Sequence, residues 1–131
     1  MGAAENAEAA RRGYKAFQEN DVDTLTQVLA PDIQWHATGR NAASGTFDGR
    51  DATLGNFLNL AQMTDGTFSV EVHDILASDD HAVVLATSKG TRNGQTLSSN
   101  YCHVFHFNSE GQASECWVVP VDPYEGDEFF A

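Results

Sequence analysis

Basic residues are scarce in this chain: seven lysines and arginines stand against nineteen acids, a formal charge of −12. A surface of that sign repels phosphate backbones and anionic headgroups, so neither a nucleic-acid nor a membrane partner is expected. Long apolar runs are missing too. None approaches the roughly 18–20 residues that span a bilayer. The start, Met1-Gly-Ala-Ala-Glu-Asn6, has no basic stretch followed by an apolar core, so no secretory signal is expected. Asn6 stands where a myristoylated Gly2 would need Ser or Thr. Only two cysteines occur, and neither has the CxxC or Cys/His spacing of a zinc site. Reduced thiols in a cytoplasmic protein are the expectation, with a bridge between Cys102 and Cys116 as the lesser alternative.

What is present suits one domain over residues 1–131. At 41% hydrophobic, a chain of this length buries about two-thirds of its unfolded surface. Ala7, Ala10, Tyr14 and Phe17 recur at helical spacing and predict a helix over 4–19, broken at Asn20-Asp21. Asp21 or Asp23 can cap a short second helix carrying Leu25, Val28 and Leu29, ending before Pro31. A strand is expected over 32–38 and a Gly/Ser/Asn-rich loop over 39–49 with an extended piece at Thr46-Phe47. A third helix is expected over 50–63, using Leu54, Phe57, Leu58 and Ala61. Four long strands follow, over 67–77, 81–92, 95–108 and 112–121, separated by turn signals that include Asn93-Gly94. Helices first and hairpin-connected strands after make an α+β pattern. Strands this long coil strongly, giving a cone-shaped, curved mixed or antiparallel sheet wrapped around the N-terminal helices.

The strand over 95–108 carries the most chemistry. At a period of two, one face presents Leu97, Ser99, Tyr101, His103, Phe105 and Phe107; the other presents Ser98, Asn100, Cys102, Val104 and His106. His103, flanked by Tyr101 and Phe105, is either a satisfied core histidine or the acid/base of a pocket. His36 ends a strand beside the glycine-rich loop and reads as a surface, interface or pocket-mouth group. His73, His81 and His106 read as exposed. No histidine pair has metal-ligand spacing backed by carboxylates, so neither a metal nor another cofactor is expected. Neither a Ser/His/Asp arrangement nor a phosphate-cradling glycine loop is found. On the last strand Trp117 and Val119 oppose Cys116 and Val118, so both faces are apolar.

Several segments carry a resemblance across nearly the whole chain. They are Tyr14-Lys-Ala-Phe-Gln-Glu-Asn-Asp-Val-Asp, Ala30-Pro-Asp-Ile-Gln-Trp-His, Gly45-Thr-Phe-Asp-Gly-Arg-Asp51 and Val72-His-Asp-Ile-Leu-Ala-Ser-Asp-Asp. With them go Tyr101-Cys-His-Val-Phe-His-Phe, Gly111-Gln-Ala-Ser-Glu-Cys-Trp117 and the ending Asp127-Glu-Phe-Phe. The chain resembles the SnoaL-like branch of the nuclear transport factor 2-like superfamily, which includes ketosteroid isomerases, polyketide cyclases, limonene-type epoxide hydrolases and non-catalytic members. The implied fold is the cystatin-like α+β barrel, whose fold alone licenses little about activity.

Carried over residue by residue, the resemblance puts the isomerases' hydrogen-bond-donating aspartic acid at His103. Their proton-shuttling aspartate falls at Ala37 and their oxyanion tyrosine at Gly13, with Tyr14 about 100° further round the helix. The cyclases' acid/base aspartate also falls at His103. Their Glu-His-Trp-Asp reads Glu115-Cys-Trp-Val118 here, and the Asp–Arg–Asp relay of the epoxide hydrolases is not readable. One histidine at the superfamily's commonest acid/base position remains.

The resulting expectation is a homodimer whose apolar cavity takes a small hydrophobic molecule. It is either a cofactor-free isomerase, cyclase or dehydratase, or a non-catalytic ligand-binding or dimerisation module. His103 would move the proton and Tyr14 or Tyr101 would bond a developing oxyanion. Phe17, Trp35, His36, Phe57, Val84, Ala86, Phe105, Cys116 and Val118 are the expected ligand-binding wall. Trp117 and Val119 are left on the outer face as a self-association surface, and the aromatic tail is expected to fold over the cone rim or a partner.

Overall fold

A computed structural model describes residues 2–131. Helix α1 (Ala3–Glu19) buries Ala10 and Ala16 and ends at Asn20, which takes the left-handed conformation at φ 56°. Asp21 caps α2 (Val22–Val28), accepting from the Thr24 amide at 3.1 Å and the Thr24 hydroxyl at 2.7 Å. The chain then enters β1 (Leu29–Ala37) directly, so Leu29 begins a strand rather than closing the expected helix. Pro31 is exposed and lies where the pairing of β1 slips between Leu29 and Gln34. A residue without an N–H is tolerated at such a break in the ladder.

After β2 (Gly45–Asp48) and α3 (Arg50–Met63) come the four long strands: β3 (Ser69–Ala77), β4 (His81–Arg92), β5 (Gln95–Phe107) and β6 (Ala113–Pro120). All six strands form one mixed sheet in the order β2-β1-β6-β5-β4-β3. Every pairing is antiparallel except β1 with β6. The β4–β5 hairpin closes at Asn93 and Gly94, with φ of 51° and 79°, the positive pair that a two-residue turn requires. Register shifts interrupt β3 between Val72 and Asp74 and the β5–β6 pairing between His106 and Phe107. Bulges of this kind add local bend and twist to strands already long enough to coil.

The concave face is covered by α1 against β3 and β4, by α3 against β1, and by the C-terminal α4 (Pro123–Phe129) against β5. No helix among the described residues is long and apolar enough to cross a membrane. The α3 reading is partly corrected: Leu58 points outward at 60% exposure, and the deeply buried positions are Thr53 and Asn56.

The aromatic tail folds over the rim of its own sheet. Helix α4 begins with Pro123 after an Asp122 cap and buries Phe129 and the following Phe130. Its Asp127 carboxylate accepts from the Arg40 amide at 2.7 Å and the Asn41 side-chain amide at 2.8 Å. Those bonds hold Asp127 below the usual carboxylate range, with the Arg40 amide contributing most. Ala42 N–H reaches the Phe130 carbonyl at 3.2 Å. Arg92 donates to the Phe129 and Ala131 carbonyls at 3.1 and 2.9 Å. Loop and tail therefore form a latch. Gly39 makes it possible: its φ is +127°, and a Cβ there would lie 2.7 Å from both Asn41 Nδ2 and Asp127 Oδ1. Gly39→Ala should lower stability by about 1–3 kcal/mol, read from urea unfolding midpoints. An unchanged midpoint would show that the latch does not depend on this glycine.

Candidate functional site

A cavity of about 190 Å³ lies between the concave sheet face and helices α1, α3 and α4. Apolar side chains make most of its wall, and the latch closes one end with Asn41, Ala43, Pro123, Gly126 and Phe130. Small residues form part of the wall, among them Ala9, Gly13 and Ala37.

The alternation of β5 places His103 in the cavity wall. Its inward row, Leu97 to Phe107, is buried, while Ser98 and Asn100 are exposed on the other side. Trp35, Tyr101 and Phe105 surround the His103 ring, with centroids 5.1, 4.7 and 5.6 Å away. From α1, the Tyr14 hydroxyl hydrogen-bonds His103 Nδ1. Nε2 is then the nitrogen left over. Burial pushes the His103 pKa down from 6.5 to about 3. Burial likewise drives the Tyr14 phenol well above its usual range, with Tyr101 nearby adding to the rise. Tyr101 is raised to about 12, also by burial, and the Ser88 hydroxyl opposes the shift. At neutral pH all three rings are uncharged, because a low-dielectric wall disfavours whichever form carries charge.

Eight of the expected site residues line this cavity: Tyr14, Phe17, Trp35, Phe57, Tyr101, His103, Phe105 and Val118. Four do not. Val84 and Ala86 are sealed in the core on β4, the strand beneath α1. Cys116 is fully buried opposite Phe105 and belongs to the same packed core. Its thiol is pushed up by burial, and both it and Cys102 are free. His36 is on the wrong face. It follows Trp35 along β1, and strand alternation sends it outward. There Nε2 lies 2.6 Å from Glu115 Oε2, Nδ1 lies 3.1 Å from Thr46 Oγ1, and the ring stacks on Trp117.

The expected site omitted the polar lining residues Thr38, Asn41, Asn56, Ser88 and Ser99. Ser99 lies on the inward row of β5, and Ser88 is its cross-strand partner, so that pair was within reach of the pattern. Asn56 was not, because a helix read by its leucines hides a polar inward stripe. Asn56 is 4% exposed, and its Oδ1 is buried without a hydrogen-bond partner. Such a group costs a fold about 1–3 kcal/mol. Ala37, Gly13 and Val118, which stand where the resemblance puts functional side chains, all line the cavity without a titratable group.

Fold and cavity together define a cone-shaped α+β protein with an apolar site in the hollow of its sheet. Residues 10–116 match the SnoaL-like domain, and the chain belongs to that family. The Mycobacterium tuberculosis protein Rv0034, described as uncharacterized, is 32% identical over 122 residues, covering 92% of each chain. Bal32a, solved from a soil-derived mobile gene cassette, is 34% identical over 98% of each chain, with a TM-score of 0.95. A nuclear transport factor 2-like protein from Burkholderia xenovorans, at 18% identity, shares the fold, with a TM-score of 0.83 over 100% of this chain and 99% of its own.

The buried imidazole has a consequence for stability. Unfolded, His103 takes a proton near pH 6.5; folded, only near pH 3. Between those values the unfolded chain binds more protons. The stabilisation is therefore complete above pH 6.5 and lost as pH falls toward 3. At about 1.4 kcal/mol per unit, the difference approaches roughly 5 kcal/mol. Denaturant midpoints measured between pH 7 and pH 3 should fall more steeply for the wild type than for His103→Phe. Parallel curves would contradict a buried neutral imidazole.

Proposed function

We propose that this protein binds a small, neutral, largely hydrophobic molecule and catalyses a cofactor-independent proton transfer on it, of the isomerase type. The observation that carries the proposal is the Tyr14–His103 hydrogen bond in the wall of an apolar cavity. An engineered apolar cavity of about 150 Å³ accepts benzene. A volume of about 190 Å³ suits a guest of one or two rings.

A lone buried imidazole is a poor base. Charging it here costs roughly 5 kcal/mol more than in water. The pair with Tyr14 avoids that charge. His103 Nε2 takes a proton from the carbon next to a ligand carbonyl while Nδ1–H passes to the Tyr14 oxygen. The Tyr14 O–H proton moves to the carbonyl oxygen, giving an enol with no ion formed. Return of a proton at another carbon completes an isomerisation. Tyr14 thus acts as relay and acid together, and Tyr101 borders the same face of the cavity.

A second reading, a binding module without catalysis, is favoured by Ala37 and Val118. Both line the cavity at positions where related enzymes place acid/base groups. One probe separates the readings: deuterium incorporation from solvent into 2-tetralone, a two-ring ketone with an acidic α-proton. Wild type should accelerate the exchange, and His103→Phe and Tyr14→Phe should each lose about 10²–10⁴-fold of it. Saturable binding with no acceleration would leave only the module.

Homodimerisation through the outer sheet face belongs to the same proposal. Val119 is 47% exposed and Leu85 40%, beside half-buried Trp117 and Val104. The free thiols of Cys102 and Cys116 suit a reducing cytoplasm. Sedimentation should give a dimer for wild type and a monomer for Val119→Glu. A monomeric wild type would remove this part of the proposal.

A further inference from the structure

Among the described residues, two asparagines carry a buried side-chain oxygen with no hydrogen-bond partner, Asn6 and Asn56. Their situations differ. Asn6 is already employed: its Nδ2 donates to the Ser78 and Asp79 carbonyls at 3.0 and 2.9 Å, tying α1 to the β3–β4 turn. Asn56 borders the cavity. Its helical neighbours there, Phe57 and Leu60, offer no donor. Phe57 meets Trp35 edge to face, and Trp35 meets His103 in the same way, at centroid separations of 4.9 and 5.1 Å. An aromatic wall therefore runs from the Tyr14–His103 pair on one side to the α3 carboxamide on the other.

We propose that Asn56 is a ligand-binding residue that hydrogen-bonds a hydroxyl group of the guest. The natural ligand class is then a compact ring compound with two polar ends, one reacting at Tyr14–His103 and the other a hydroxyl seated on Asn56. A hydroxyl both donates and accepts, so it serves either face of the carboxamide. An ionised group is not suited to this position, because the surrounding wall is apolar and would strip a charge of its solvent; the acidic protein repels anions besides. The inference rests on the ligand-cavity reading above and adds a requirement to it. A site built to bond a hydroxyl rejects the analogue lacking it, because the protein group is then left unpaired.

The test compares naphthalene, 2-naphthol and 2,7-dihydroxynaphthalene, followed by quenching of tryptophan fluorescence. Wild type should bind the diol about tenfold more tightly than the mono-ol. In Asn56→Leu, a close match in shape, that increment should vanish while naphthalene binds as well or better. Unliganded Asn56→Leu should also unfold at a higher urea concentration than wild type, since an unpaired polar group has gone. Asn56→Ala gives the same comparison should the leucine variant fail to fold. Persistence of the diol increment in the variants would overturn the role of Asn56 and leave the cavity reading intact. Failure of wild type to bind any of the three compounds would overturn both.

Discussion

The bond between the Tyr14 hydroxyl and His103 Nδ1 is the constraint around which the interior is arranged. Two polar groups face an apolar hollow, and each would be costly alone. Together they tie α1 to the middle of β5, two elements 89 residues apart in the chain. That tie fixes the turn of α1 facing the sheet and hence the positions of Ala10, Gly13 and Phe17 along the same helix face. It also removes one imidazole nitrogen from competition and leaves the other as the single nitrogen able to meet a guest. A bond that first satisfies burial thereby sets the chemistry the cavity can offer.

A hollow persists because curvature and small side chains act together. Long strands bent by bulges wrap further than a single helix can fill, and α1 presents Ala9, Ala10 and Gly13 to the space. The tail then closes one end. Phe129 and Phe130 are buried there, and Asp127 reaches back to the Arg40 and Asn41 amides across a glycine that leaves room for it. The same segments contribute cavity wall, so closure of the cone and shape of the site are one structural event.

Much of this was legible in the residues. Period-two alternation on β5 put Tyr101, His103 and Phe105 on one buried face, and the Asn93-Gly94 signal fell at the observed turn. The resemblance identified the family and singled out position 103. Harder to read were features set by neighbours distant in sequence. Val84, Ala86 and Cys116 share the inward face with His103, but facing inward does not distinguish cavity wall from packed core; the footprint of α1 and the density around Phe105 decide it. His36 turned outward because Trp35 took the inward place, and its partner Glu115 lies 79 residues away. Asn56 stayed hidden since a polar residue on a helix ordinarily marks the solvent side, whereas the packing of α3 turns that side in.

Where the resemblance implies a carboxylate, position 103 holds an imidazole, and that difference changes the electrostatics of the site as well as its pKa. A buried aspartate must be either paired with donors or protonated, and where it serves as a base its working form carries a charge that the cavity has to tolerate. His103 imposes no such demand: burial keeps it neutral across the physiological range. Tyr14 and Tyr101 are neutral for the same reason. A site composed of neutral donors and acceptors favours neutral guests, and the acidic exterior already turns anions away. It also favours reactions whose protons move in a closed circuit over those that build an ion and wait for solvent. Ala37 and Val118, where the resemblance implies carboxylates, fit that logic, because a charged neighbour would favour ionisation of the imidazole and break the neutral pair. The apolar wall and the neutral Tyr14–His103 couple are thus two consequences of one choice: the exclusion of charge from the cone.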